Sequence, residues 1–253
     1  MLIGGKCQLR LMTLSRVLYA RTMQLILIPG FWLDGASWGE VAAPLRDAGH
    51  TVHALTLPGL ESHEADRAAI GLKDHIDAVI AVVDSLPPGV VLVGHSGGGA
   101  IAHAVVDARP GAIARVVYVD SGPLGHGGVI NDELPVVNGE VPLPDWSFFE
   151  PEDLVDLTDE LRERFRRIAI PQPAKVTSDK QVLSDERRFD VPVTVICCEM
   201  STGMMADWIE QGHPYVAELA SIHGYTLVDL PTGHWPQFTK PRELAAAIAA
   251  ALI

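Results

Sequence analysis

The sequence predicts an α/β domain with a mostly parallel central sheet and helices on both faces, and three observations carry that expectation. Short apolar runs such as Leu25-Ile26-Leu27-Ile28, Val90-Val91-Leu92-Val93 and Val116-Val117-Tyr118-Val119 read as strands buried on both sides. Stretches with apolar residues at helical spacing separate them, so strand and helix alternate as right-handed crossovers between parallel strands require. The 253 residues are 48% hydrophobic and 20% charged, which excludes a disordered chain. No linker-like stretch divides them, so one large core is expected.

In chain order, residues 1–22 are expected to be a poorly ordered N-terminal extension, followed by one domain over 23–253. The extension carries Lys6, Arg10, Arg16 and Arg21 and no acid, yet lacks the apolar core and cleavage site of a targeting peptide. Gln24 to Pro29 gives the first strand, which Pro29-Gly30 ends. Ser37 with Glu40 three residues later reads as a capping box, opening a helix with Trp38, Val41, Ala42 and Leu45 inward and Pro44 bending it. Thr51 to Leu57 is the second strand, and Ile76, Val79, Ile80 and Val83 mark the next helix. The strand 90–93 and a helix with Ala100, Ile101, Ala104 and Val105 inward follow, then a fourth strand over 115–120.

From 121 to 190 the alternation stops. A Gly- and Pro-rich stretch leads to Trp146, Phe148 and Phe149, then to a helix with Leu154, Leu157, Leu161, Phe165 and Ile168 on one face. Acids lead that helix and arginines end it, the order its dipole prefers. A fifth strand over Val191 to Cys198, a helix within 207–222, a sixth strand over Thr226 to Leu230 and a last helix with Pro241 in its first turn complete the chain.

The net charge of −13 becomes −17 once the four basic residues of 1–22 are set aside, so the domain should repel nucleic acid and anionic membrane. No segment has the roughly 20 apolar residues of a membrane span. Cys7, Cys197 and Cys198 form neither a disulfide framework nor a zinc pattern, which fits the cytoplasm. No cofactor-binding loop, metal cluster, repeat or heptad is visible, so cofactor and metal are expected to be none, and the oligomeric state is left open.

The most specific stretch is Gly94-His95-Ser96-Gly97-Gly98, a G-x-S-x-G set between an apolar strand and an Ala-rich helix. A serine on so sharp a turn is pushed out at the carboxyl end of its strand, where open parallel sheets hold ligands. Here the chain resembles the α/β-hydrolase superfamily over roughly residues 23–253, nearest its small esterase, lactonase and hydroxynitrile lyase branch. The resemblance implies an α/β-hydrolase fold with a cap insertion at about 121–190 and a catalytic set of Ser96, a histidine and an acid.

A serine hydroxyl needs a base, and the base an orienting acid. His234, just after the last strand, matches the superfamily's histidine position. The acid has two candidates. The superfamily's usual position after the fifth strand holds Ser201, so Glu199, or Asp207, would have to substitute. Asp120 ends the preceding strand 24 residues after Ser96, as in some branches, and is the expected acid, with Glu199 the alternative. The resemblance further implies oxyanion donors at the backbone N–H groups of Gly97 and Phe31, although Pro29-Gly30 replaces the His-Gly that often begins the second loop. His95, Trp32, Leu124, Trp146 and Trp235 are expected to contact substrate, with Phe148, Phe149, Met204 and Met205 as further apolar candidates.

The expected partner is a small molecule: a hydrophobic carboxylic ester or lactone, cleaved through an acyl-enzyme. The same frame supports base-catalysed lyases, C–C hydrolases and cofactor-free oxygenases, in which the serine only hydrogen-bonds, and non-catalytic receptors.

Overall fold

The computed structural model describes residues 22–252; residues 1–21 of the expected extension, Cys7 included, lie outside them. Strand and helix alternate through β1 (Gln24–Ile28), α1 (Gly39–Asp47), β2 (Thr51–Ala54), α2 (Leu72–Asp84), β3 (Val90–His95), α3 (Gly97–Ala108) and β4 (Ile113–Val119). An excursion follows in which β5 (Glu140–Val141) pairs antiparallel with β6 (Gln172–Pro173), and α4 (Asp159–Ile168) lies between them. After α5 (Ala174–Ser178) the sheet resumes with β7 (Val193–Cys197), α6 (Thr202–Glu210), α7 (Ala217–Ala220) and β8 (Tyr225–Asp229), and the chain closes with α8 (Pro236–Thr239) and α9 (Pro241–Ala251). The six main strands are all parallel, in the order β2-β1-β3-β4-β7-β8.

Both faces of the inner strands β1, β3, β4 and β7 are largely dry, which is why these are nearly continuous apolar runs, whereas the edge strand β8 is mostly exposed. Ile26, Leu92, Val116, Tyr118, Val195 and Cys197 belong to the core on one face, packed with α2, α3 and the excursion. Leu25, Leu27, Val93, Val117, Ile196 and Cys198 belong to the other, packed against Trp38, Val41 and Leu45 of the first helical region and Leu244 and Ile248 of α9. The adjacent cysteines therefore sit on opposite faces, as strand alternation requires, and burial raises both thiols far above the ordinary range, Cys197 to about 12.

Several local expectations are corrected. Ser37 does not cap the first helix: residues 35–38 form a 3-10 turn capped by the Asp34 side chain, and the Ser37 hydroxyl donates to the Asp34 carbonyl. Glu40 instead pairs with Arg164 at 2.9 Å. The helix expected from Leu154 begins at Asp159, because Asp156 takes φ 63° and Thr158 supplies the cap by accepting from the Leu161 amide. The helix expected within 207–222 is broken into α6, a 3-10 turn at 214–216 and α7, where Gly212 has φ 68° and Pro214 follows.

Register places the site. Ile28 pairs with Gly94, His95 with Val119, Val119 with Ile196, and Cys197 with Asp229, so these strands reach one edge together. The residues that follow each strand, at 29–31, 96, 120, 198–199 and 230–234, are delivered to the same rim. Gly94 and Gly98 let β3, α3 and the end of β1 approach: a Cβ on Gly98 would lie 2.6 Å from the Ile28 carbonyl oxygen, and one on Gly94 would lie 2.5 Å from that of Gly98. Replacing Gly98 by Ala should cost about 1–3 kcal/mol of overpacking strain, seen as a fall in Tm of roughly 2–4 °C per kcal/mol. An unchanged Tm would mean that this contact is not tight.

Candidate active site

Ser96 links β3 to α3 without an intervening loop and adopts φ 51°, ψ −127°, a backbone state strained for any residue with a side chain. Its amide donates to the Val119 carbonyl at 3.2 Å, and its own carbonyl accepts from the Ser121 hydroxyl at 2.7 Å. The strained turn is thus tied on both sides to the end of β4. Asp120, the first residue beyond β4, is itself at φ 43°.

The structure brings Ser96, His234 and Asp120 into one hydrogen-bonded line. The Ser96 Oγ and His234 Nε2 are 2.8 Å apart, and His234 Nδ1 donates to Asp120 Oδ2 at 2.7 Å. A carboxylate only accepts, so Nδ1 carries the hydrogen and the neutral ring leaves Nε2 free to accept from the hydroxyl. The other Asp120 oxygen accepts the amides of Cys198 at 2.9 Å and Glu199 at 3.1 Å. Glu199, the alternative acid, stands 3.8 Å from the same ring nitrogen. Asp207 lies exposed on α6, outside the cavity lining.

Burial alone would pull the His234 imidazole down, but the hydrogen bond and charge of Asp120, with Glu199 and Asp153 nearby, outweigh it and raise it to about 9. Glu199 is raised in turn, first by burial and then by its acidic neighbours. Asp120, Glu199 and His234 each offer a ligand atom within 4.8 Å of the others. However, the oxygens of Asp120 are spent on the ring and on two backbone amides, a set closed by protein hydrogen bonds.

A cavity of about 790 Å³ opens onto Ser96 and His234, lined in part by Phe31, Trp32, Leu124, Phe148 and Phe149. Gly97 also lines it, and as the first residue of α3 its amide has no intrahelical acceptor. The Phe31 ring covers Gly97 so closely that a Cβ there would lie 2.7 Å from it.

Three expected substrate contacts are corrected. His95 lies wholly buried behind the site, its Nε2 donating to the His234 carbonyl at 2.7 Å. Desolvation, then the neighbouring His234, lowers it to about 3, so it is neutral and positions the histidine loop from the rear. Trp235 and Trp146 stand back from the cavity because they pack on each other and on Phe149 and Phe165, with ring centroids 5.2–5.9 Å apart. Met204 and Met205 are likewise absent from the lining. Conversely, the sequence did not mark Glu150, Asp153, Tyr215 or Glu218, all of which reach the cavity. The excursion docks on the histidine loop through backbone: the amides of Gly233 and His234 donate to the carbonyls of Val155 and Asp153.

Among the described residues no helix is long and apolar enough to cross a membrane. Residues 25–247 match the model of the alpha/beta hydrolase family. A carbendazim hydrolyzing esterase of Nocardioides sp. (strain SG-4G) is 28% identical over 244 residues, which cover 89% of this chain and 98% of that protein. Among solved structures, an extracellular alpha/beta-hydrolase from a Paenibacillus species superposes with a TM-score of 0.73 at 20% identity, over 90% of this chain and 98% of its own. The methylesterase MES16 of Arabidopsis superposes with a TM-score of 0.73 at 17% identity, over 91% and 99%. With the parallel sheet, the strained serine turn and a family match spanning most of its length, the chain belongs to the alpha/beta hydrolase family.

Proposed function

We propose that the protein is a serine hydrolase that cleaves a small carboxylic ester or lactone through an acyl-enzyme. The observation that carries this is the unbroken line from the Ser96 hydroxyl through His234 to Asp120, opening on a cavity. The esterases among its relatives support the same reaction class, the Nocardioides enzyme over nearly its whole length. Cytoplasmic residence is part of the proposal and rests on the unpaired, buried Cys197 and Cys198. Residues 121–190 serve as the cap in this reading.

Ser96 Oγ attacks the ester carbonyl while its proton passes to His234 Nε2. The Gly97 and Phe31 amides receive the developing oxyanion, and such donors are worth roughly 3–4 kcal/mol each. Collapse of the adduct expels the alkoxide, which takes the proton from His234 and leaves Ser96 acylated. Water, deprotonated by the same nitrogen, then releases the acid and restores the hydroxyl. Asp120, held by two backbone amides, accepts from His234 Nδ1 and fixes the ring tautomer. The apolar part of the wall, with Phe31, Trp32, Leu124, Phe148 and Phe149, suits an ester whose acyl or alcohol part is hydrophobic.

A fluorophosphonate probe should label Ser96 in the folded protein. Ser96→Ala should abolish labelling and lower aryl-ester hydrolysis by about 10⁴-fold or more; full turnover by that variant would point to base-only lyase or oxygenase chemistry instead. Asp120→Asn should cost about 10³–10⁴-fold in kcat and Glu199→Gln less than about tenfold. The reverse order would make Glu199 the acid.

The base works only unprotonated, so a raised His234 value moves the rising limb of kcat/KM upward, and activity should climb with pH toward about 9. Glu199→Gln removes a negative neighbour and should shift that limb to lower pH. A limb at the ordinary histidine value of 6.5 would contradict this electrostatic account.

A further inference from the structure

Behind the cavity wall lies a polar chain that the proposed chemistry does not use. Tyr118 and His103 are buried in the core between β4 and α3, and the Tyr118 hydroxyl and His103 Nδ1 are 2.9 Å apart. His103 Nε2 donates to Glu218 Oε1 at 2.9 Å, and Arg188 Nε donates to the same oxygen at 2.8 Å. Arg188 is itself steadied by Asp107 Oδ1 at 3.3 Å. Two donors thus converge on one oxygen of Glu218. The second oxygen, Oε2, meets no donor among the described residues and faces Gly125, on whose backbone a Cβ would stand 3.2 Å away. Glu218 and Gly125 both line the cavity that contains Ser96.

Placing an arginine, a histidine and a tyrosine beneath one carboxylate adds little net stability, because desolvation offsets most of the attraction. What the arrangement does produce is a carboxylate locked in one orientation with one oxygen free, the mark of a supported recognition group. Burial would raise its carboxyl group, but the bonds from His103 and Arg188 outweigh that and hold it below the usual range, so it is ionised at neutral pH. Acids outnumber the basic groups around it: Asp120, Glu150, Asp153 and Glu218 are on the cavity lining with His126 and His234, and no described lining residue is Lys or Arg. A glycine at 125 keeps space open in front of the free oxygen.

We propose that Glu218 is a specificity-determining residue of this cavity, its free oxygen accepting a hydrogen bond from an N–H group on the part of the ester remote from the scissile bond. The inference rests on the ester-hydrolase reading and adds a substrate class to it: esters bearing an amine or amide N–H are favoured over their hydrocarbon isosteres, and anionic esters are rejected. An ammonium donor adds charge attraction, and a neutral amide supplies the hydrogen bond alone.

The test compares p-nitrophenyl 6-aminohexanoate with p-nitrophenyl heptanoate, and the hexanoate esters of 4-(aminomethyl)phenol and 4-ethylphenol, with an N-acetyl form of each amino ester as the neutral donor. Wild type should favour the N–H member in kcat/KM by about tenfold or more in at least one pair. Glu218→Gln keeps an oxygen for Arg188 and His103 but puts an NH₂ donor where the free oxygen was, so the ratio should fall to about one. Gly125→Ala leaves the polar chain intact and crowds the same oxygen, and should lower the ratio in the same direction. Turnover of the hydrocarbon esters with no N–H preference, or a preference that survives both variants, overturns the assignment to Glu218 and leaves the hydrolase reading standing. Loss of the preference for the ammonium member only would restrict the class to cations. If wild type turns over none of the esters, the hydrolase reading fails, and the subsite assigned to its substrate fails with it.

Discussion

The structure depends on one constrained residue. Ser96 sits at φ 51°, ψ −127°, and such states cost on the order of 1–3 kcal/mol. The surroundings over-determine it: glycines at 94 and 98 let three backbone segments close around the turn, and the amide and carbonyl of Ser96 are both bound to residues at the end of β4. Because those partners, Val119 and Ser121, flank Asp120, the same bonds that hold the serine also fix the carboxylate. Hydroxyl and acid are therefore positioned by a single junction between neighbouring parallel strands, and only the imidazole arrives from elsewhere.

The imidazole is held at its backbone as firmly as at its ring. His95 grips the His234 carbonyl from behind, Asp153 receives its amide from the front, and the ring spans Asp120 and Ser96. The two histidines divide along electrostatic lines: His95 has no carboxylate partner among the described residues and is driven neutral by burial, while His234 beside Asp120 is driven the other way. One ring is a buried neutral support, and the other, at the cavity, is the ring to which the proposed mechanism gives the mobile proton.

Much of this was legible in the chain because it is local or periodic. Apolar runs gave the strands, the glycine-flanked serine gave the turn, and a histidine directly after the last strand had one place to go. The identity of the carboxylate beside the imidazole was harder. Asp120 and Glu199 follow adjacent strands, and only the register of β4 against β7, which presents the Cys198 and Glu199 amides to Asp120, separates them. His95, Trp146 and Trp235 were misplaced for a related reason: an aromatic ring that lines a cavity and one that packs behind its wall have the same sequence signature, and the stacking that decides between them joins residues scattered from 146 to 235. The acids of the cavity left no periodic mark, and Glu218 takes its meaning from Arg188 and His103, 30 and 115 residues away.

Trp32 shows how far the excursion is built into the body of the domain. It follows β1 at φ 65°, its indole nitrogen donates to the Val141 carbonyl at 3.0 Å, and its own carbonyl receives the Ile170 amide at 2.9 Å. The loop bearing Phe31 is therefore tied to β5 and to the segment entering β6, and on the side of the excursion both ties are main-chain groups, the Val141 carbonyl and the Ile170 amide, which a change of side chain there leaves in place. Side-chain changes at Val141 and Ile170 keep these two bonds as long as the path of the excursion is kept. A graft that alters its length, in contrast, would release the loop beside the serine, so selectivity in this scaffold can be recast by exchanging side chains far more safely than by exchanging the whole covering segment.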